Sequence, residues 1–207
     1  GITIAIQSSS AMTVMLVGLV NSGIVEFTNT FGMIMGSNVG TTLTAWLLSL
    51  AGLEGNFVIT LLNRSTFAPL LAGVGIVMQM FSKDDKKKQL GNIFIGFSIL
   101  ICGMDLMSDS MQSVRTLDGF DTFLATLKSP IVALLVSTVF TGVIQSSAAT
   151  IGIVQALALT GGITWEMAIP LVLGANIGTC ITALISSIGT NKNAKRVVVM
   201  HSAVNVF

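Results

Sequence analysis

The sequence carries one pair of polar motifs twice, in the same order and at the same spacing. Gln7-Ser8-Ser9 returns as Gln145-Ser146-Ser147, and Gly36-Ser37-Asn38-Val39-Gly40-Thr41 returns as Gly174-Ala175-Asn176-Ile177-Gly178-Thr179. Both pairs are 138 residues apart, as are Thr44-Ala45 and Thr182-Ala183. Motifs that keep one register across a long, mostly apolar interval define an internal repeat rather than an accident of composition. Any fold for this chain has to accommodate two related halves.

The residues between the motifs decide the solvent. Of the 207 residues only 9% are charged and 52% are apolar, whereas about a quarter of a soluble domain is charged. Such a chain cannot cover its surface with polar groups, so lipid is the expected environment. Apolar stretches cover residues 11–25, 31–53, 57–81, 90–107, 131–144, 148–160 and 167–188. Several approach the roughly 20 residues that a helix needs to cross a ~30 Å hydrocarbon core. They are parted by the charged run 83–88, a polar connector at 108–129 and a polar turn at 191–196, with a further helix expected from Val197. Gly1-Ile2-Thr3 lacks the basic start of a signal peptide, and the chain reads as a piece of a longer protein that starts inside a membrane element. Cys102 and Cys180 lie in apolar stretches without metal-ligand spacing, and both are expected to be reduced and packed.

Counting crossings orients the halves. Let X be the side that holds residues 26–30. The spans 31–53, 57–81 and 90–107 then lead to the opposite side Y, back to X, and again to Y. If each Gln-Ser-Ser is the tip of a re-entrant hairpin, the first hairpin opens to X and the second to Y. That is the inverted arrangement used by many secondary transporters. Charge provides an independent check. Lys83, Lys86, Lys87, Lys88, Lys192, Lys195 and Arg196 fall on X, against Arg115 and Lys128 on Y, with Arg64 just inside the span that starts there. The positive-inside rule makes X cytoplasmic. The expected fold is an all-α integral membrane protein of inverted-topology repeats, with two re-entrant helical hairpins and two broken transmembrane helices. The first repeat covers residues 1–82, a linking helix and extracytoplasmic connector 83–129, and the second repeat 130–207. The loops at 83–88 and 192–196 are expected in the cytoplasm of a multi-pass inner-membrane protein.

Gln-Ser-Ser and Gly-x-Asn-x-Gly are the points where helices are expected to break, because Gly frees φ and Asn, Ser and Thr satisfy released backbone groups. Broken backbone is tolerated at membrane depth only where protein or a water-filled cavity surrounds it. Helix N-termini there offer N–H donors to an anion, and C-termini offer carbonyls to a cation. Ser8, Ser9, Ser10, Ser146, Ser147, Thr13, Thr41, Thr150 and Thr179 add hydroxyls that can donate to an oxyanion or coordinate Na⁺. Gln7, Gln145, Asn38 and Asn176 each combine an amide donor with a carbonyl acceptor. A single such motif would be read as close helix packing, the commonest role of small and hydroxylated residues in membrane helices. The paired, inverted occurrence favours a binding site. Asp105 is read as interfacial, Arg64 as an anion contact or a snorkelling residue, and His201, one turn from Asn205, as a packing or interfacial residue. There is no nucleotide loop, catalytic triad or metal-ligand spacing, so neither an enzyme nor a nucleic-acid binder is indicated.

Gln7-Ser8-Ser9-Ser10-Ala11, Gly36 to Thr42, Gln145-Ser146-Ser147-Ala148-Ala149 and Gly174 to Thr179 resemble the sodium-dependent phosphate cotransporter family, type II and its bacterial relatives, over nearly the whole chain. The resemblance implies inorganic phosphate as substrate, Na⁺ as coupling ion, sites near the two hairpin tips, and a lipid bilayer as surroundings. A homodimer is compatible with it. It implies substrate contacts at Gln7, Ser8, Ser9, Ser10, Asn38, Gln145, Ser146, Ser147 and Asn176. The Na⁺ ligands it implies are Gln7, Thr13, Asn38, Thr41, Gln145, Thr150, Asn176 and Thr179. The connector at 108–129 is short, as in a bacterial relative. The second motif departs from the pattern at Ala148, where a serine hydroxyl is lost. A carrier of another oxyanion or a small carboxylate, and a non-transporting membrane scaffold, are the rival readings.

Overall fold

The computed structural model describes residues 1–51 and 64–207; the opening of the span at 57–81 and the side chains of Arg64 and Arg115 lie outside the described residues. Its elements are all helices among those residues: α1 (Ile2–Ile6), α2 (Ser9–Asn21), α3 (Phe27–Ala51), α4 (Arg64–Phe81), α5 (Asp85–Arg115), α6 (Phe120–Thr126), α7 (Pro130–Ile144), α8 (Ser147–Leu159), α9 (Trp165–Gly178), α10 (Cys180–Ser186) and α11 (Lys192–Val206). Among the described residues two stretches, Asp85–Val114 and Trp165–Ser186, are long and apolar enough to cross a membrane. The pair α6 and α7, bent by 111°, would make a third if it is one span. Large apolar side chains such as Trp46, Leu70, Phe81, Ile93, Ile131 and Ile188 face outward, the inverse of a soluble surface and the expected one for contact with lipid.

Local chemistry starts and stops these helices. Ser8 and Ser146 cap α2 and α8 by accepting from Ala11 N at 3.1 Å and Ala149 N at 3.2 Å. Asp84 caps α5 through Lys86 N at 3.0 Å, and Asn191 caps α11 through Ala194 N at 2.9 Å, so each cap satisfies one of the orphan donors of a first turn. Pro130 stands at the first turn of α7, where its missing N–H costs nothing. Lys86, Lys87 and Lys88, expected in a loop, belong to the first turns of α5 because Asp84 starts that helix before them. The expected connector at 108–129 is likewise mostly helical, taken up by the end of α5 and by α6.

The expected helix breaks at the Gly-x-Asn-x-Gly motifs are corrected as well. α3 runs unbroken through Gly36–Gly40, and in the second half the interruption falls at Thr179, after the glycines rather than at them. The glycines serve close approach instead. A Cβ on Gly40 would lie 2.9 Å from Thr3 Cβ of α1, and one on Gly178 would lie 2.6 Å from Thr141 Cβ of α7. Thr3 and Thr141 are themselves 138 positions apart, so the same contact occurs in both halves. A glycine inside a helix costs only about 1 kcal/mol relative to Ala, which close packing of neighbouring helices offsets.

Among the described residues three apolar clusters hold the helices. One joins Met12, Leu16, Val17 and Val20 of α2 and Ile34 of α3 to Ala183, Ala194, Val197 and Val198 of α10 and α11, so residues from both halves share one core. A second links Leu127, Ala133, Val154, Leu157 and Leu171 around α7, α8 and α9. The third, Ala68, Ile101 and Met104, ties α4 to α5. Cys180 is buried as expected, but Cys102 is exposed, on a face of α5 that no described helix covers. The α4–α5 contact closes through glycine on both sides: a Cβ on Gly75 would stand 2.6 Å from the Gly91 carbonyl oxygen, and one on Gly91 2.7 Å from that of Gly75. Gly75→Ala is expected to force the two helices apart and destabilise the protein by about 1–3 kcal/mol, read as a lower thermal midpoint in detergent. An unchanged midpoint would show that this crossing is looser than described.

Candidate functional site

Each Gln-Ser-Ser sits at a sharp reversal between two short helices. Gln7 ends α1 in the left-handed conformation (φ 57°) and Gln145 ends α7 likewise (φ 62°), the two non-glycine residues with positive φ among those described. That conformation carries a cost of roughly 1–2 kcal/mol for a residue with a Cβ, so something has to hold it. The side chains do. Gln7 Nε2 donates to Ile4 O at 2.7 Å, and its Oε1 accepts from Thr44 Oγ1 at 2.5 Å. Gln145 repeats both bonds, with Gly142 O and with Thr182 Oγ1. Each glutamine thus ties its own helix end to the helix carrying the matching Gly-x-Asn-x-Gly motif.

The two tips meet. Gln7, Ser8, Ser9, Ser10, Thr41 and Thr44 from one half and Gln145, Ser146, Ser147 and Ala148 from the other enclose a cavity of about 40 Å³, room for roughly three water molecules. Both α2 and α8 point their N-termini at it. The serine caps use the N–H groups of Ala11 and Ala149, while the first N–H groups of each helix have no acceptor within the helix. Ala148 lines the cavity with Gln145, Ser146 and Ser147, so the lost hydroxyl does not remove the second half from it.

A second cavity of about 190 Å³ adjoins the first through Ser9 and Thr41 and is lined also by Asn38, Thr42, Asn176, Thr179 and Asn205. Its polar groups are of another kind. The carbonyl oxygen of Asn176, in the last turn of α9, accepts from Thr179 Oγ1 at 2.6 Å, and the C-terminal end of a helix carries partial negative charge. No charged side chain of the described residues lines either cavity. Among the described residues no group of three His, Cys, Asp or Glu is placed to hold a metal ion.

The structure therefore gathers at these two cavities every substrate contact and Na⁺ ligand implied by the resemblance except Thr13 and Thr150, while Asp105 and His201 line neither. Thr13 and Thr150 are buried behind the tips, donating to Ser9 O at 3.0 Å and Ser146 O at 3.2 Å, and Thr150 also bonds Thr141 at 2.8 Å. Sequence reasoning passed over Thr44 and Thr182 as site residues, although their recurrence at the common spacing was a usable signal. It also passed over Asn205, which has no counterpart in the first half.

Apolar helices with outward-facing apolar side chains, enclosing polar cavities, describe an integral membrane protein. The sequence model of the Na⁺/Pi-cotransporter family matches residues 1–109 and again residues 99–207, and the chain belongs to that family. It is 32% identical over 204 residues to "Uncharacterized protein YqeW" of Bacillus subtilis (strain 168), covering 97% of this chain and 62% of that one. To "Putative inorganic phosphate export protein YjbB" of Escherichia coli (strain K12) it is 26% identical over 198 residues, 95% of this chain and 34% of the other. With "Sodium-dependent phosphate transport protein 2B" of Homo sapiens it shares 30% identity over 96 residues, 45% of this chain and 14% of the other. The chain thus spans less than two thirds of the length of these relatives. No solved structure matches it.

Proposed function

We propose that the chain is the core of a sodium-coupled symporter of inorganic phosphate, with the anion held between the two tips and Na⁺ in the adjoining cavity. The observation that carries this reading is the convergence of two capped helix N-termini on one uncharged cavity. Aligned N–H groups and the helix dipoles favour an anion there without a fixed cation. Ser8, Ser9, Ser10, Ser146 and Ser147 supply further donors, and Gln7 and Gln145 shape the tips. In the second cavity the hydroxyls of Thr41 and Thr179, the amides of Asn38 and Asn176 and the carbonyl end of α9 suit a monovalent cation. Neutral ligands allow both ions to leave as well as to bind. The two ions would share Ser9 and Thr41 as a common wall.

The architecture assigned to this function is a pair of inverted repeats with re-entrant hairpins. Lengths support it: α7 and α8 have 15 and 13 residues, about 22 and 20 Å at 1.5 Å per residue, each too short for a ~30 Å core. Sidedness has support as well. Asn191 N and Nδ2 donate to Asn21 Oδ1 at 2.9 Å and to Asn21 O at 3.1 Å, which brings the turn after α2 beside the basic start of α11, as a shared cytoplasmic face requires.

The name of YjbB favours a second reading, in which the same cavities serve phosphate export. Radiolabelled phosphate flux in proteoliposomes of the full-length protein, with a Na⁺ gradient imposed in either direction, separates the two. Symport predicts accumulation that follows the Na⁺ gradient and collapses when K⁺ replaces Na⁺, with arsenate competing better than sulfate or dicarboxylates. Phosphate efflux indifferent to Na⁺ would favour the exporter. Absence of any gradient-dependent anion flux would leave a membrane scaffold as the better reading.

A further inference from the structure

Asn205, on α11, touches both Gly-x-Asn-x-Gly motifs. Its Oδ1 accepts from Asn38 Nδ2 at 2.8 Å, which reaches the first half. Its Nδ2 faces the Asn176 carbonyl oxygen at 3.4 Å and Cys180 Sγ at 3.4 Å, which reaches the second. His201, one turn earlier on α11 and only 1% exposed, holds the amide from behind through Nε2 at 3.2 Å. The residue 138 positions before Asn205 is Phe67, so one amide serves two motifs and breaks the symmetry of the repeat.

We propose that Asn205 is a cation-site residue, the third amide of the 190 Å³ cavity, and that it determines how tightly and how selectively a monovalent alkali cation is held there. The proposal rests on the reading above that this cavity takes Na⁺. The cavity wall offers amides, hydroxyls and the carbonyl end of α9, with no charged side chain among the described residues, a donor set of oxygens for a singly charged ion rather than a multivalent one. A cation draws oxygens, not N–H groups, toward itself. Asn205 Oδ1 keeps a second lone pair beside the one that Asn38 Nδ2 uses, and Asn38 Oδ1 is a separate acceptor, so the hydrogen bond between the two amides can hold their oxygens in place for a cation. Occupancy is thereby coupled to the contact between α3 and α11, two of the helices through which the two halves share a core.

The test uses the full-length protein in two assays: Na⁺-dependent rise in thermal midpoint in detergent, with K⁺ as control, and Na⁺-driven phosphate uptake in proteoliposomes. Asn205→Ala is expected to raise the Na⁺ half-saturation about tenfold or more in both, the scale of one lost charge-assisted contact. The phosphate half-saturation at saturating Na⁺ should stay within about twofold, a tenfold change being 1.4 kcal/mol. Asn205→Asp, which keeps an oxygen and adds charge, should recover or tighten Na⁺ binding, and it keeps the test decisive if the alanine variant fails to fold. A purely structural role would lower the midpoint in K⁺ and leave the Na⁺ dependence as in wild type; that result overturns the proposal. If the wild-type protein itself shows no response to Na⁺ in either assay, the sodium-coupled reading falls and the proposal with it. A wild-type response that Asn205→Ala and Asn205→Asp both retain removes Asn205 alone.

Discussion

Gln145→Ala is expected to reduce Na⁺-driven phosphate uptake at least about tenfold while leaving the protein folded. The alanine keeps the left-handed conformation with its cost of roughly 1–2 kcal/mol and removes both bonds that hold it, to Gly142 O and from Thr182 Oγ1. Each of the two lost hydrogen bonds is worth about 0.5–1.5 kcal/mol net, so at 1.4 kcal/mol per factor of ten the ordered tip loses about tenfold or more in population. Two companion variants separate conformation from clamp. Gln145→Gly relieves the backbone cost and loses the clamp; Thr182→Val keeps the glutamine and removes its donor. If the clamp orders the tip, Thr182→Val should lower uptake about as much as Gln145→Gly, and combining Thr182→Val with Gln145→Ala should add little to Gln145→Ala alone. Full uptake by Gln145→Ala would remove the glutamine from the site. The same series at Gln7 and Thr44 should behave alike, because their bonds are the same.

The second large effect is expected from α9. A Cβ on Gly174 would stand 2.3 Å from the Leu134 carbonyl oxygen, and one on Gly178 2.7 Å from that of Thr138. Backbone cannot move aside as a flexible side chain can, so α9 must withdraw from α7. Gly174→Ala is expected to destabilise by about 3 kcal/mol, at the upper end of overpacking costs, and to lower the thermal midpoint of the protein in detergent. It should also break the 2.5 Å bond from Ser137 Oγ to Leu171 O that lies across the same contact. Gly36→Ala, at the corresponding place in the first half, meets nothing within 4 Å and should be close to neutral. Equal effects at the two positions would mean that both halves pack alike, contrary to the contacts described.

That difference between Gly36 and Gly174 marks the limit of what the repeat discloses. Recurrence at one spacing identified Gln7 and Gln145, with the serines after them, as a pair worth attention. It also identified Gly40 and Gly178, but as sites of helix breakage, since a sequence does not distinguish a glycine that frees φ from one that admits a neighbouring helix. Only the position of Thr3 beside Gly40, and of Thr141 beside Gly178, makes that distinction. Thr13 and Thr150 were chosen for their hydroxyls, and the hydroxyl of each turns out to bond a carbonyl one turn back, a partner that local helix geometry supplies to any threonine.

What the sequence determined by itself is local or periodic in nature. Its scarcity of charge set the membrane environment, its serine caps set where α2 and α8 begin, and the common spacing of its motifs tied Gln-Ser-Ser to Gly-x-Asn-x-Gly in each half. These follow from a residue's own chemistry or from its near neighbours along the chain. The tertiary structure alone decided that the two tips enclose one cavity, that Thr44 and Thr182 latch the glutamines, and that Asn205 reaches Asn38 across 167 residues. Each of these is a contact between helices remote in sequence, and whether such side chains meet depends on how the helices cross, which no motif encodes.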